Sequence, residues 1–247
     1  MKKNGSFAYK TDIGRVRETN EDVAIALANR SGDILLLVCD GMGGHHRGDL
    51  AAKMASDYLV TSFQAKNAFF TMTTARLWLT YHIKQANRIV YDEAQRNPKA
   101  KEMGTTLTAM LIVDRQVAVA NIGDSRAYSV SGTGLTQLSE DQTYVDYLFR
   151  TGKISKDEMK THPQKHVLLN ALGLNPTISI DLKVLDYNGE RLMVCTDGLY
   201  NNVSELEMLT VLASSDTVHQ KCDSLIRIAN SNGGTDNLAI ALWEPLK

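Results

Sequence analysis

Short apolar runs of strand length recur along the chain, at Ile34 to Cys39, Leu107 to Val113, Val117 to Ile122, Ala127 to Val130, Leu192 to Cys195 and Leu238 to Trp243. They are bounded by Gly, Asp and Ser and are too short for helices, so strands are expected. Helical periodicity lies between them. Leu50, Met54, Tyr58 and Leu59 share one face, and Leu79, Ile83, Ala86 and Val90 repeat at spacings of four, three and four. Ser155-Lys156-Asp157-Glu158 and Ser204-Glu205-Leu206-Glu207 have the form of a capping box, in which Ser and Glu satisfy orphan amides reciprocally, and each predicts a helix start. Strict βαβα alternation is absent. The pattern therefore predicts an α+β layered sandwich, antiparallel sheets inside and helices outside, rather than a doubly wound parallel sheet. No repeat, low-complexity tract or Pro/Gly/Ser linker divides residues 1–247, and a single domain is expected. The stretch from Asp141 to Gly173 is the least regular, with Gly152, Pro163 and a basic and histidine cluster between Lys160 and His166. Long irregular segments in compact domains are often functional.

At 247 residues and 43% hydrophobic content the chain can bury a large core. Its 27 basic and 28 acidic residues give a net charge of -1, which argues against nucleic acid or an anionic membrane surface as partner. Three cysteines, Cys39, Cys195 and Cys222, are an odd number without CxxC spacing, which suits buried thiols in a reducing compartment. Met1-Lys2-Lys3-Asn4-Gly5 has no apolar stretch behind it, and no apolar run long enough for a membrane span occurs. A cytosolic, unanchored protein is expected.

Three aspartates sit where predicted strands meet glycine or turn residues: Asp40 in Val38-Cys39-Asp40-Gly41-Met42-Gly43-Gly44, Asp197 in Cys195-Thr196-Asp197-Gly198, and Asp236 in Gly233-Gly234-Thr235-Asp236-Asn237. A carboxylate at a strand end is rigidly aimed, and an adjacent glycine lets a carbonyl or an ion approach closely. Several carboxylates converging on one point repel one another unless a cation lies between them, so a hard-metal site of the Mg/Mn type is the economical reading. Other chemistries fail on inspection. There is no GxxxxGK[ST] and no GxGxxG, the loops after Cys39 and Cys195 are acidic and would raise a thiol pKa, and HExxH is absent. The adjacent His45 and His46 would point apart on a regular element, poor geometry for one zinc.

Six fragments in order, Arg17-Glu18-Thr19-Asn20-Glu21-Asp22, Asp40-Gly41-Met42-Gly43-Gly44-His45, Met103-Gly104-Thr105-Thr106, Asn121-Ile122-Gly123-Asp124-Ser125-Arg126, Cys195-Thr196-Asp197-Gly198-Leu199 and Gly233-Gly234-Thr235-Asp236-Asn237, span Thr11 to Leu242. Together they resemble the bacterial branch of the metal-dependent serine/threonine phosphatases, the protein phosphatase 2C family. The resemblance implies an αββα sandwich of two mainly antiparallel sheets and a monomeric phosphoserine/phosphothreonine protein phosphatase acting on phosphorylated proteins, opposite a cytosolic Ser/Thr kinase. It further implies two Mn or Mg ions bridged by Asp40 and a water. Glu21 and the Gly41 carbonyl would complete one ion's shell, and Asp197 and Asp236 would hold the other. Asp22 would stand one layer behind, Asp124 would join Asp197 at a third, weaker metal, and Arg17 would bind the substrate phosphate. Two such ions acidify the bridging water and clamp the attacking and leaving oxygens of an in-line displacement, so no covalent phosphoenzyme is needed.

Each residue also has a plainer reading. Asp-Gly pairs form turns, Gly-Asp-Ser at Asp124 could make a hairpin turn, and Glu21, Asp22 and Arg17 read singly as surface charges. His45 and His46 read as surface loop residues and Cys195 as a small core hydrophobe. Met42 stands where eukaryotic members often place a histidine proposed as general acid; the proton donor is left open between a metal-bound water and His45. Asp141-Gln142-Thr143 replaces the Asp-His-Ser often seen there, with no catalytic consequence expected. Asp141 to Gly173 aligns with the mobile flap of bacterial members, where His162, Lys165 and His166 either meet acidic phosphosubstrates or form a solvated basic loop. Two rival functions are a regulatory binding module that keeps the fold without turnover and a phosphatase dedicated to one anti-sigma antagonist.

Overall fold

In the computed structural model, which describes residues 4–43, 47–132 and 134–246, successive residues of the run beginning at Ile34 enter two different cores. Leu35, Leu37 and Cys39 pack with helical residues, whereas Ile34, Leu36 and Val38 pack with residues of a second sheet. That is the period-two geometry of a strand buried on both faces. Residues 107–113 behave alike, sending Leu107, Ala109, Leu111 and Val113 to the helices and Met110 and Ile112 inward.

The strands are β1 (Gly5–Asp12), β2 (Asp22–Ala28), β3 (Ile34–Met42), β4 (Gly104–Thr105), β5 (Leu107–Val113), β6 (Gln116–Ile122), β7 (Arg126–Ser131), β8 (Gly134–Gln137), β9 (Asp181–Asp186), β10 (Arg191–Cys195) and β11 (Leu238–Pro245). The helices are α1 (Gly48–Ala65), α2 (Met72–Arg96), α3 (Tyr144–Arg150), α4 (Lys156–Thr161), α5 (Asp197–Asn202), α6 (Glu205–Ala213) and α7 (Val218–Ser231). One sheet runs β1-β11-β10-β7-β8 and the other β2-β3-β5-β6-β9, with β4 paired to β3. The named strand pairs are all antiparallel. One core lies under α1 and α2, a second under α5 to α7, and a third between the sheets, where Trp243 donates its indole N–H to the Tyr187 hydroxyl at 2.7 Å. The expected αββα sandwich is the observed fold. Among the described residues no helix is long and apolar enough to cross a membrane.

Leu79, Ile83, Ala86 and Val90 of α2 are all buried as their spacing predicts. The α1 face is displaced from its predicted position. Its buried residues include Ala51, Ala52, Ala55, Leu59 and Phe63, whereas Leu50, Met54 and Tyr58 are only partly buried. The alanines let α1 lie close to β3, which pushes the longer side chains to the rim of the contact. Both capping boxes form, at the starts of α4 and α6. The irregular stretch after Asp141 contains two short helices, α3 and α4.

Candidate active site

Strand register brings the acidic residues to one end of the sandwich. β2 and β3 pair with Asp22 opposite Asp40. Asp197 opens α5 just after β10, Asp236 precedes β11 by two residues, and Asp124 lies in the turn from β6 to β7. A cavity of about 520 Å³ is lined by Arg17, Glu21, Asp40, Gly41, Asp124, Asp197 and Asp236, together with His166 and Leu168 from the irregular stretch. Every expected site residue except Asp22 therefore faces one space. Asp22 is buried behind it and accepts a 2.7 Å hydrogen bond from the Thr196 hydroxyl, which joins the two sheets.

Glycine is required where the backbones meet. A Cβ on Gly41 would lie 2.3 Å from the Gly48 carbonyl oxygen, and one on Gly48 would lie 2.5 Å from the Gly41 carbonyl carbon, with Glu21 Oε2 close by. Neither distance is tolerable for a real side chain, so these glycines let β3, the start of α1 and Glu21 close on one another. Gly44, His45 and His46 lie outside the described residues.

Several supporting residues had no role assigned from sequence. Asn237 accepts from the Glu21 amide at 2.9 Å and donates to the carbonyls of Ile13 and Thr19, also at 2.9 Å, pinning the loop that carries Arg17 and Glu21. Thr106 accepts from the Asp40 amide at 3.0 Å, and Thr105 donates to the Asp40 carbonyl at 2.9 Å. Their signal was present in the motifs quoted above: small polar residues set into apolar segments have to find partners when buried.

Burial dominates the electrostatics, with like charges adding to it. Asp22 and Asp40 are pushed well above the usual carboxylate range by desolvation, which for Asp40 is reinforced by Asp22, Asp197, Asp124 and Asp236. Asp197 is raised by burial and then by Asp236, and Asp124 is pushed up to about 7 by burial and then by Asp197 and Asp141. Such a cluster is comfortable only with positive charge among it. Arg17 supplies some. Its guanidinium forks onto Asp236, Nε to Oδ1 and Nη2 to Oδ2 both at 2.8 Å, and this bond holds its pKa above the ordinary value. Arg17 and Asp236 are thus paired at the wall of the same cavity. Among the described residues no group of three or more His, Cys, Asp or Glu side chains stands close enough together to hold a metal ion without moving; Asp236 is turned to its arginine.

The thiols fit no nucleophilic role. Cys39, Cys195 and Cys222 are free and buried, and burial pushes the thiols of Cys195 and Cys222 up to about 12 and that of Cys39 higher. A second cavity of about 550 Å³ adjoins the first and shares Asp124, His166, Asp197 and Thr235 with it; Lys160 and Lys165 also line it. His162 packs near the Tyr144 ring and lines neither cavity.

A carboxylate-lined end on an αββα sandwich defines the class, and residues 15–242 match the family model described as protein phosphatase 2C. The chain belongs to the protein phosphatase 2C family. It is 39% identical over 237 residues to the serine/threonine phosphatase stp of Listeria monocytogenes, covering 96% of this chain and 94% of that protein. Its fold superposes on the serine/threonine phosphatase Stp1 of Staphylococcus aureus with a TM-score of 0.92 at 33% identity, over 100% of this chain and 98% of the other. The catalytic domain of the phosphatase PstP, solved in complex with two manganese ions, gives a TM-score of 0.86 at 29% identity over 98% and 99% of the two chains.

Proposed function

We propose that this chain is a manganese- or magnesium-dependent phosphoserine/phosphothreonine protein phosphatase, acting as one catalytic domain. The observation that carries the reading is the gathering of Glu21, Asp40, Asp124, Asp197 and Asp236 with Arg17 around one cavity. The donor set fits hard divalent cations: all the charged donors are oxygens, they repel one another as placed, and the glycine at position 48 keeps the Gly41 carbonyl uncrowded, since a Cβ there would lie 2.6 Å from its oxygen. Glu21, Asp40 and the Gly41 carbonyl would hold one ion, Asp197, Asp236 and the shared Asp40 a second, and Asp124 with Asp197 a weaker third. Bound there, the ions supply Lewis acidity, neutralising phosphoryl oxygens and acidifying water for an in-line displacement.

The chain's own residues do the rest. Arg17 turns its fork from Asp236 to the phosphate oxygens, a planar two-pronged contact that lysine cannot reproduce. Asp22, held by Thr196, keeps the start of β2 fixed against Asp40. His166 and Leu168 narrow the cavity on the flap side. The substrates are phosphorylated proteins, and we place the enzyme opposite a cytoplasmic Ser/Thr kinase and its targets, as a monomer. A binding module without turnover would require a defective ligand set, and Glu21, Asp40, Asp197 and Asp236 are all present.

The deciding experiment is hydrolysis of a phosphothreonine peptide with and without Mn, beside a phosphotyrosine peptide. Mn-dependent release from the first and little from the second is expected. Release unaffected by chelation would sink the reading.

A further inference from the structure

Gln142 bonds both to the turn that carries Asp124 and to the residues that follow Leu168. Its backbone N–H donates to the Gly123 carbonyl at 3.0 Å, and its side-chain Oε1 accepts from the Gly123 N–H at 3.2 Å, so one residue grips both polar groups of the glycine before Asp124. Its Nε2 donates to the Asn121 carbonyl at 3.3 Å. On the other side, Oε1 accepts from Asn170 Nδ2 at 2.8 Å, and the Gln142 carbonyl accepts from the Leu169 N–H at 2.9 Å. Asn170 and Leu169 follow directly on Leu168, which with His166 forms the flap-side wall of the cavity.

The turn has little freedom of its own. Gly123 has a φ of +95°, and a Cβ there would lie 2.6 Å from Thr106 Cγ2. The Asp124 carbonyl accepts from the Tyr200 hydroxyl at 3.1 Å, and the Tyr200 ring lies 3.6 Å beneath the Arg126 guanidinium, itself forked onto Asp141. The flap base is closed by the Tyr144 N–H donating to the Val167 carbonyl at 2.8 Å and by a bridge between Thr143 and Leu168. Gln142 is the residue at which these two bonded units meet.

We propose that Gln142 is a positioning residue that ties the flap to the Asp124 turn, so that two neighbouring parts of the cavity wall are set together. Its consequence for turnover rests on the phosphatase reading above; its mechanical part does not. The residue touches no reacting atom. It acts through Gly123 on one side and through Leu169 and Asn170 on the other, and a plain contribution to fold stability is the competing account.

Gln142→Met keeps length and removes the side-chain amide, oxygen and nitrogen together, while Asn170→Leu cuts the flap-side bond to Gln142 together with the 2.6 Å bond from Asn170 Nδ2 to the Ser179 carbonyl. Hydrogen exchange on metal-free protein separates the accounts. Gln142→Met, which loses three side-chain hydrogen bonds, is expected to speed exchange of residues 144–169 and 121–125 by at least roughly tenfold, about what a single one of them allows, with β5 and β10 unchanged. Asn170→Leu is expected to loosen the flap and the chain around Ser179 while residues 121–125, still held by Gln142, exchange as in the parent. In parallel, kcat/KM on a phosphothreonine peptide should fall further than on a small aryl phosphate, because the peptide meets the flap. Exchange as in the parent, or faster exchange spread evenly over the chain, overturns the proposal. Asn170→Leu decides the matter if Gln142→Met does not fold. A parent without Mn-dependent hydrolysis would remove the phosphatase reading and leave the exchange result standing.

Discussion

Replacing Arg17 by alanine separates phosphate binding from fold and metal. The side chains of Arg17 and Asp236 are 55% and 32% exposed, so their ion pair is a solvent-screened surface bridge contributing at most about 1 kcal/mol to stability. Melting should therefore shift little. A charge-assisted bond to substrate contributes about 1.5–3 kcal/mol, and at about 1.36 kcal/mol per tenfold its loss lowers kcat/KM by roughly 10- to 160-fold. The loss should fall mainly on KM if the contact is made in the ground state. Releasing Asp236 from its arginine should leave the Mn half-saturation near or below the parent's. Arg17→Lys should recover part of the loss, since a point charge replaces a planar fork. The assay is steady-state kinetics on one phosphothreonine peptide, paired with Mn titration of the same preparations. An unchanged kcat/KM, or a defect that disappears on adding Mn, would refute the assignment of Arg17 to phosphate.

Asp197→Ala should abolish Mn-dependent hydrolysis while circular dichroism stays native, because it removes a ligand and relieves a repulsion; parent turnover at saturating Mn would count against the two-ion site. Asp124→Ala should keep the central ion pair and slow protein substrates more than a small aryl phosphate, and calorimetry with unchanged stoichiometry and rates on both would return Asp124 to a turn residue. Replacing Cys39, Cys195 and Cys222 together by Ala or Ser should preserve metal-dependent activity at some cost in stability, and complete loss in a folded variant would reopen a thiol mechanism. Without metal, Asp22, Asp40, Asp124 and Asp197 have folded pKa values above their unfolded ones, so the native state holds more protons and their contribution to stability falls as pH rises from about 4 toward 7. A bound cation reverses that by favouring the ionised forms, so the Mn-induced rise in Tm over chelated protein should grow between pH 5.5 and 7.5; a rise independent of pH would contradict it.

Gln142 illustrates the limit of motif reading. Its departure from the more usual histidine suggested no consequence, and only the folded contacts bring Gly123 and Asn170 to the same side chain. The α1 face shows a similar limit. Leu50, Met54, Tyr58 and Leu59 form an apolar stripe on paper, but the helix settles deepest where Ala51, Ala52 and Ala55 allow closest approach to β3. Apolar patterning ranks residues by hydrophobicity, whereas packing also selects for small size.

Local patterning by itself determined strands β3, β5, β6, β7, β10 and β11, the buried stripe of α2, both capping boxes and the six fragments that carry the family. These rest on interactions within a few residues or on side-chain chemistry that needs no partner to be legible. The strands β1, β2, β4, β8 and β9, the insertion of Thr196 between sheets to hold Asp22, the pinning of the Arg17 loop by Asn237 and the pairing of Arg17 with Asp236 were decided by tertiary structure. Asp236 and Arg17 are separated by 219 residues. No local preference of the chain encodes such a contact; it exists because two sheets twist and pack so that their loops meet at one end.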